Sequence, residues 1–308
     1  MEFVELALKY MIEIYKQNYF SMKTVILNNG IEMPILGYGV WQITPEKCEY
    51  YVSEALKAGY RLIDTAQAYY NEEGVGAAIS NSGIPRSEIF ITTKVWISNA
   101  GDEKAAISID ESLRKLRTDY IDLLLIHQPF GDYYGTYRAM EKAYEAGKVR
   151  AIGLSNFYDS RFVDLAENMD IKPAVVQLET HVFSQQVKMR HLAEKYGTHI
   201  MAWSPLARGM NGLFTNETLK AIGEKYGKDN AQVCLKFLTD EGIIVLPQST
   251  RTERMASNLA IDDFSLSETD KELIRNMDTG KALAADFNDP ELAEYLLTYD
   301  KNFNPQNK

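Results

Sequence analysis

The chain has 308 residues, 45% of them hydrophobic and 25% charged, an ordinary globular balance that excludes a disordered, collagen-like or disulfide-scaffolded protein. Its 33 Lys and Arg against 43 Asp and Glu give a formal net charge of −10, which lacks the basic footprint that nucleic-acid binding requires. Cys48 and Cys234 form no C-x-x-C pair, and the histidines at 127, 181, 191 and 199 have no tight ligand spacing, so free thiols, a reducing cytoplasm and no metal are expected.

At the start of the chain, Glu2, Glu5, Lys9, Glu13 and Lys16 are spaced by three or four among apolar residues. This spacing predicts an amphipathic helix within residues 1–22, packed on the domain or on a partner. Its charges recur every turn, which speaks against a membrane span, and no charge-free core of a secretory signal develops. A rival reading takes the segment as a non-native extension ahead of Met22. The oligomeric expectation is a monomer, with a dimer through this helix as the alternative.

From Thr24 the pattern turns periodic. Val25 to Met33 reads as a hairpin, with Asn29-Gly30 suited to a type I′ turn. Eight short apolar runs follow: Ile35–Val40, Arg61–Thr65, Ile89–Val95, Ile121–His127, Val149–Leu154, Ala174–Leu178, Ile200–Trp203 and Ile243–Leu246. Helical patterns such as Pro45–Ala58, Glu103–Leu116, Thr136–Ala146 and Asp159–Asn168 alternate with them. Strands apolar on both faces, each followed by a helix, predict an α/β fold: one (β/α)8 TIM barrel over residues 23–285, its bottom capped by the hairpin, with a C-terminal tail over 286–308. A doubly wound sheet is the rival, but Gly37-Tyr38-Gly39 supplies only part of the glycine pattern that a dinucleotide-binding turn uses.

In such a barrel the active site forms at the carboxyl ends of the strands. Asp64, Lys94 and His127 stand where apolar runs stop, and Tyr69 lies in the loop after Asp64. Taken singly, these are a cap, a surface charge and a core histidine. Together on one face they have the chemistry of a proton relay, in which an ammonium lowers the pKa of a phenol and a carboxylate holds the ammonium in place. A histidine beside them could orient a carbonyl oxygen.

The run Leu62-Ile63-Asp64-Thr65-Ala66-Gln67-Ala68-Tyr69-Tyr70-Asn71-Glu72 resembles the first signature of the aldo-keto reductases. Gly153-Leu154-Ser155-Asn156-Phe157 resembles their second, and Leu246-Pro247-Gln248-Ser249 through Arg254 and Asn258 their third. Ile91 to Trp96 and Leu125 to Pro129 fit in order and spacing, so the resemblance covers residues 24–285. It is nearest to the microbial branch of 2,5-diketo-D-gluconate and methylglyoxal-type reductases.

The resemblance implies NAD(P)H-dependent reduction of small carbonyl compounds, without metal, nucleic acid or membrane span. It makes Asp64, Tyr69, Lys94 and His127 the catalytic tetrad, with Tyr69 as proton donor. It places Ser155, Asn156 and Gln177 on the nicotinamide carboxamide and Trp203 against its ring. Ser204 and Leu206 then lie along the pyrophosphate, with Arg208 adding charge, and Gln248, Ser249, Arg254 and Asn258 at the adenosine end. Trp41, Trp96, Tyr69 and His127 would line the substrate pocket, with Phe130, Tyr133 and Tyr134 in the loop after His127; Asp132 and Arg208 stand as selectivity elements or solvated loop charges.

Three positions depart from the family pattern. Gln248 replaces a usual lysine beside the 2′-phosphate, so NADP(H) is expected to be used with weakened discrimination against NAD(H). Gln128 stands where Trp is frequent, and Thr180-His181-Val182 where Tyr-His-Pro is frequent. The alternative function is a cofactor-binding regulatory subunit with little turnover; the intact tetrad argues against it.

Overall fold

A computed structural model describes residues 23–303. The helix expected within residues 1–22 lies outside the described residues. The first element is the hairpin β1 (Thr24–Ile26) and β2 (Glu32–Pro34), paired antiparallel. Its turn differs from expectation. Gly30 N donates to Leu27 O at 2.8 Å and Leu27 N to Ile31 O at 2.9 Å, leaving a three-residue loop in which Gly30 alone has positive φ. That is a type I turn closed by a glycine bulge, and it frees both asparagine side chains to face the barrel. Asn28 donates to the Pro173 carbonyl at 3.2 Å, Asn29 to that of Arg150 at 2.9 Å, and the Ile26 carbonyl meets His199 Nε2 at 2.9 Å. All three partners precede or begin strands, so the hairpin caps the amino-terminal end of the barrel.

Eight parallel strands follow: β3 (Tyr38–Gly39), β4 (Leu62–Asp64), β5 (Phe90–Val95), β6 (Leu123–Ile126), β7 (Ile152–Ser155), β8 (Val175–Glu179), β9 (His199–Trp203) and β10 (Ile244–Val245). They lie in sequence order, and a parallel bridge between Leu36 and Val245 joins first to last, closing the ring. Closure and strand order rule out the doubly wound sheet. Each strand falls within or overlaps one of the eight predicted runs. They carry a core that includes Leu62, Ile63, Ile91, Leu124, Val176 and Ile244, all inaccessible to solvent. Gly153 belongs to this packing: a Cβ there would collide with the Val175 carbonyl of the next strand.

The outer helices are α1 (Pro45–Ala58), α2 (Glu72–Asn81), α3 (Asp102–Leu116), α4 (Tyr133–Glu145), α5 (Asp159–Asn168), α6 (Val187–Glu194), α7 (Glu217–Tyr226), α8 (Asn230–Asp240), α9 (Thr252–Leu259) and α10 (Glu268–Arg275). Two of the predicted helices match their observed bounds, and α4 starts three residues early because Asp132 caps it, accepting from Gly135 N at 2.8 Å. The C-terminal tail is not featureless: α11 (Pro290–Phe303) packs against the short turn Ile97–Asn99 that follows β5.

Candidate active site

The strand ends bring the predicted residues together. Asp64 closes β4 and Lys94 sits on the neighbouring strand, two residues beyond Thr92, the register partner of Asp64. Lys94 Nζ donates to Asp64 Oδ1 at 2.6 Å and to the Thr65 carbonyl at 2.8 Å. Gln177 Nε2 on β8 donates to the other carboxylate oxygen at 2.9 Å. All three side chains are buried. Tyr69 ends a 3-10 turn, Gln67–Tyr69, which Gln67 pins in place. Gln67 Oε1 accepts from Trp96 N and Asn99 Nδ2, both at 2.9 Å, while its Nε2 donates to Ser112 Oγ at 3.1 Å. The Tyr69 ring then lies edge-on to His127, with centroids 5.5 Å apart, and 5.1 Å from Lys94 Nζ. Trp96 meets His127 from another side at 5.0 Å.

A second group adjoins the first. Ser155 and Gln177 are register partners on β7 and β8. Asn156, in the left-handed region at φ 66°, donates to the His127 carbonyl and to Gln128 Oε1, both at 3.1 Å, and to Ser155 Oγ at 3.2 Å. Its Oδ1 accepts from Trp203 Nε1 at 2.9 Å, which fixes that indole at the end of β9. Gln128 thereby gains a role that its sequence position does not disclose: it orients Asn156 and, through it, Trp203. Arg208 Cζ lies 4.3 Å from the ring centre of Trp41 and 5.5 Å from that of Trp203, and its Nε donates to Ser204 Oγ at 3.2 Å. Leu206 packs against the core beneath this loop. A third group follows β10: Gln248 and Arg254 are exposed, Ser249 is tied to Tyr38 Oη through its carbonyl at 2.6 Å, and Asn258 is buried on α9.

Residues 35–279 match the model of the Aldo/keto reductase family. The chain belongs to this family. It is 44% identical over 253 residues to glyoxal reductase of Bacillus subtilis (strain 168), covering 82% of this chain and 91% of that protein. Among solved structures, an aldo/keto reductase from Brucella melitensis superposes with a TM-score of 0.81 at 44% identity, covering 84% of this chain and 100% of that one. The Bombyx mori aldo-keto reductase in complex with NADP gives 0.81 at 31% identity over 91% of this chain and 97% of that one.

The electrostatics of this aldo-keto reductase differ in one respect from the relay expected of its residues. Burial, reinforced by the Asp64 carboxylate, holds the Tyr69 phenol well above its ordinary value, with Arg208 opposing. Lys94 Nζ, 5.1 Å from the Tyr69 ring centre, directs its hydrogen bonds to Asp64 and the Thr65 carbonyl. The phenol is therefore protonated. Burial pushes Asp64 up and Lys94 down, and their mutual contact opposes both shifts.

Burial, aided by Lys94, drives the His127 pKa well below 6.5, and Nδ1 is buried with no hydrogen-bond partner. The imidazole is thus neutral, able to donate to or accept from a reacting group. An unfolded chain takes up this proton first on acidification, so the contribution to stability is full above about pH 6.5 and is lost as pH falls from there to the lower folded value. His127→Gln is expected to show a flatter melting temperature against pH below that point than the wild type; superimposable slopes would contradict the neutral assignment.

Three residues of the loop after β6 have defined partners. Tyr134 turns away to α5, where its hydroxyl donates to Asp164, and Tyr133 packs edge-on against Phe157 at 5.3 Å. Both belong to the first turn of α4, which Asp132 caps. Among the described residues no helix is long and apolar enough to cross a membrane, and no cluster of three His, Cys, Asp or Glu side chains is arranged around a metal position.

Proposed function

We propose that this chain reduces small aldehydes and ketones to alcohols with a nicotinamide cofactor, dicarbonyl and sugar-derived compounds foremost. The observation that carries this reading is the buried cluster of Asp64, Lys94, Tyr69 and His127 at the carboxyl end of the barrel. The cofactor, NADP(H) and secondarily NAD(H), supplies a hydride to the carbonyl carbon. Tyr69 gives its phenolic proton to the carbonyl oxygen, and solvent restores it. Neutral His127 orients the carbonyl beside Tyr69, while Trp41 and Trp96 wall the pocket.

The donor set fits the cofactor. Ser155, Asn156 and Gln177 bring amide and hydroxyl groups to adjacent strand ends, as a carboxamide needs. Trp203 offers an indole face held from its far edge by Asn156. Ser204, Leu206 and Arg208 would border the pyrophosphate. At the adenosine end, Ser249 and Asn258 are joined by two exposed cations, Arg254 and the neighbouring Arg251, which the third signature does not single out. Relatives named for glyoxal reduction and for an NADP complex support the substrate class and the cofactor. The chain is proposed to work as a cytoplasmic monomer, in keeping with two free, buried cysteines. Nothing among the described residues favours the regulatory-subunit alternative.

The test is the fall in NADPH absorbance with glyoxal, methylglyoxal and a panel of aldehydes. Turnover is expected with both cofactors. The missing cation at Gln248 weakens discrimination by on the order of 1–3 kcal/mol, the scale of a charged hydrogen bond. The NADPH preference should therefore stay below about 1,000-fold; a larger one would remove the Gln248 argument. No turnover on any carbonyl would overturn the function itself.

A further inference from the structure

Strand β8 carries a second buried carboxylate that the reaction does not use. Glu179 lies two residues beyond Gln177, on the same face of the strand and nearer the mouth of the barrel. It is inaccessible to solvent. Its Oε1 accepts from Leu283 N at 2.7 Å, Ala284 N at 3.0 Å and His181 Nε2 at 3.1 Å. Its Oε2 accepts from Ala284 N at 3.1 Å and Ala285 N at 3.3 Å. Phe183 N donates to His181 Nδ1 at 3.2 Å, which leaves the proton of the neutral imidazole on Nε2, pointing at Glu179.

The captured segment rims the mouth. Just beyond it, Phe287 stacks on Tyr158 with centroids 6.0 Å apart, and Arg161 Nη1 donates to the Phe287 carbonyl at 3.2 Å. Helix α11 then packs against Ile97–Asn99, the turn directly after Trp96. The strap therefore passes from the end of β8, past the loop after β7, to the loop after β5. Its far end touches the turn that also holds Gln67 and, through it, Tyr69.

A buried carboxylate costs desolvation free energy unless hydrogen bonds replace its water. Here three consecutive backbone amides and one imidazole replace it. Backbone amides are present whatever the side chains, so this anchor holds the strap in position independently of the strap's own sequence.

We propose that Glu179 is a specificity-determining positioning residue: by fixing Leu283–Ala285 across the barrel mouth it sets which carbonyl compounds fit beside Tyr69. This rests on the carbonyl-reductase reading given above.

In Glu179→Gln the amide NH2 faces backbone N–H donors, so the strap loosens. Relative kcat/KM for a small dicarbonyl over a bulky aryl aldehyde should shift by about 10-fold, the scale on which pocket shape discriminates. The shift should reside in KM, with kcat for the small substrate changed by less than about twofold. Ala284→Pro removes the amide shared by both carboxylate oxygens, leaves Glu179 in place and should reproduce the shift, which covers a failure of Glu179→Gln to fold. Hydrogen exchange at residues 283–285 should accelerate in Glu179→Gln.

Equal scaling of all substrates, or unchanged selectivity in both variants, would overturn the proposal. So would unchanged exchange at 283–285. If the wild type turns over no carbonyl, the proposed function falls by itself, and exchange still decides whether Glu179 holds the strap.

Discussion

Replacing Tyr69 by Phe is expected to lower kcat/KM for carbonyl reduction by roughly 10²–10⁴-fold, the usual contribution of a positioned general acid. The substitution deletes one oxygen and keeps the ring whose edge-on packing against His127 and approach to Lys94 shape the site. Cofactor affinity should therefore change little, because no residue proposed to hold the nicotinamide or the adenosine depends on the phenolic oxygen. The loss amounts to about 3–5 kcal/mol of transition-state stabilisation at 1.36 kcal/mol per tenfold. Burial and Asp64 keep the phenol protonated. A donor so placed delivers its proton only when charge develops on the carbonyl oxygen, and a water molecule or neutral His127 would have to replace it in the variant. Stopped-flow oxidation of NADPH, with binding measured separately by tryptophan fluorescence, would check both halves. Activity within about threefold of wild type would reassign the acid, with His127 the next group to examine.

Much of this site is legible in the amino-acid sequence, and the limits have physical causes. The eight strands are readable because buried parallel strands are apolar on both faces, and their polar ends, Asp64, Lys94 and His127, mark where the core stops. Tyr69 is one of 19 tyrosines, and only its place after Asp64 singles it out. Residues that act through partners remote in sequence are not readable. Gln128 orients Asn156 across 28 positions, and Glu179 holds Ala284 across 105. Gln67 sits inside the first signature, yet its pinning of Trp96 and Asn99 depends on how the loops after β4 and β5 meet. The hairpin turn departs from its local signal for a tertiary reason. Asn29-Gly30 suits a type I′ turn, but docking both asparagines under the barrel favours the longer loop. Arg208 carries no local signal that would place it between Trp41 and Trp203; its loop contains Ser204, Ala207 and Asn211 in the left-handed region, a path that composition does not announce.

Lys94→Met should be among the most destabilising single changes in the chain, because it leaves the Asp64 carboxylate buried with Gln177 Nε2 as its remaining side-chain donor. Breaking a buried pair by removing one partner typically costs about 3–5 kcal/mol. A loss of that size should lower the melting temperature by roughly 6–20 °C, at about 2–4 °C per kcal/mol for a chain somewhat smaller than this one. The sign of the pH dependence follows from the same geometry. Burial already raises the Asp64 pKa with the ammonium present, and removing the ammonium removes the main force opposing that shift. A folded-state pKa above the unfolded value means that the protonated carboxyl is the stable form. The variant's deficit should therefore be greatest at neutral pH and shrink on acidification toward the unfolded value near 4. The double variant Asp64→Asn/Lys94→Met removes the charge altogether and should recover much of the stability lost by Lys94→Met. It should not recover activity, since the Asp64–Lys94 pair that packs beside the Tyr69 ring would be gone. A double variant no more stable than Lys94→Met would show that the cost lies in lost packing of the lysine stem, not in the unpaired carboxylate.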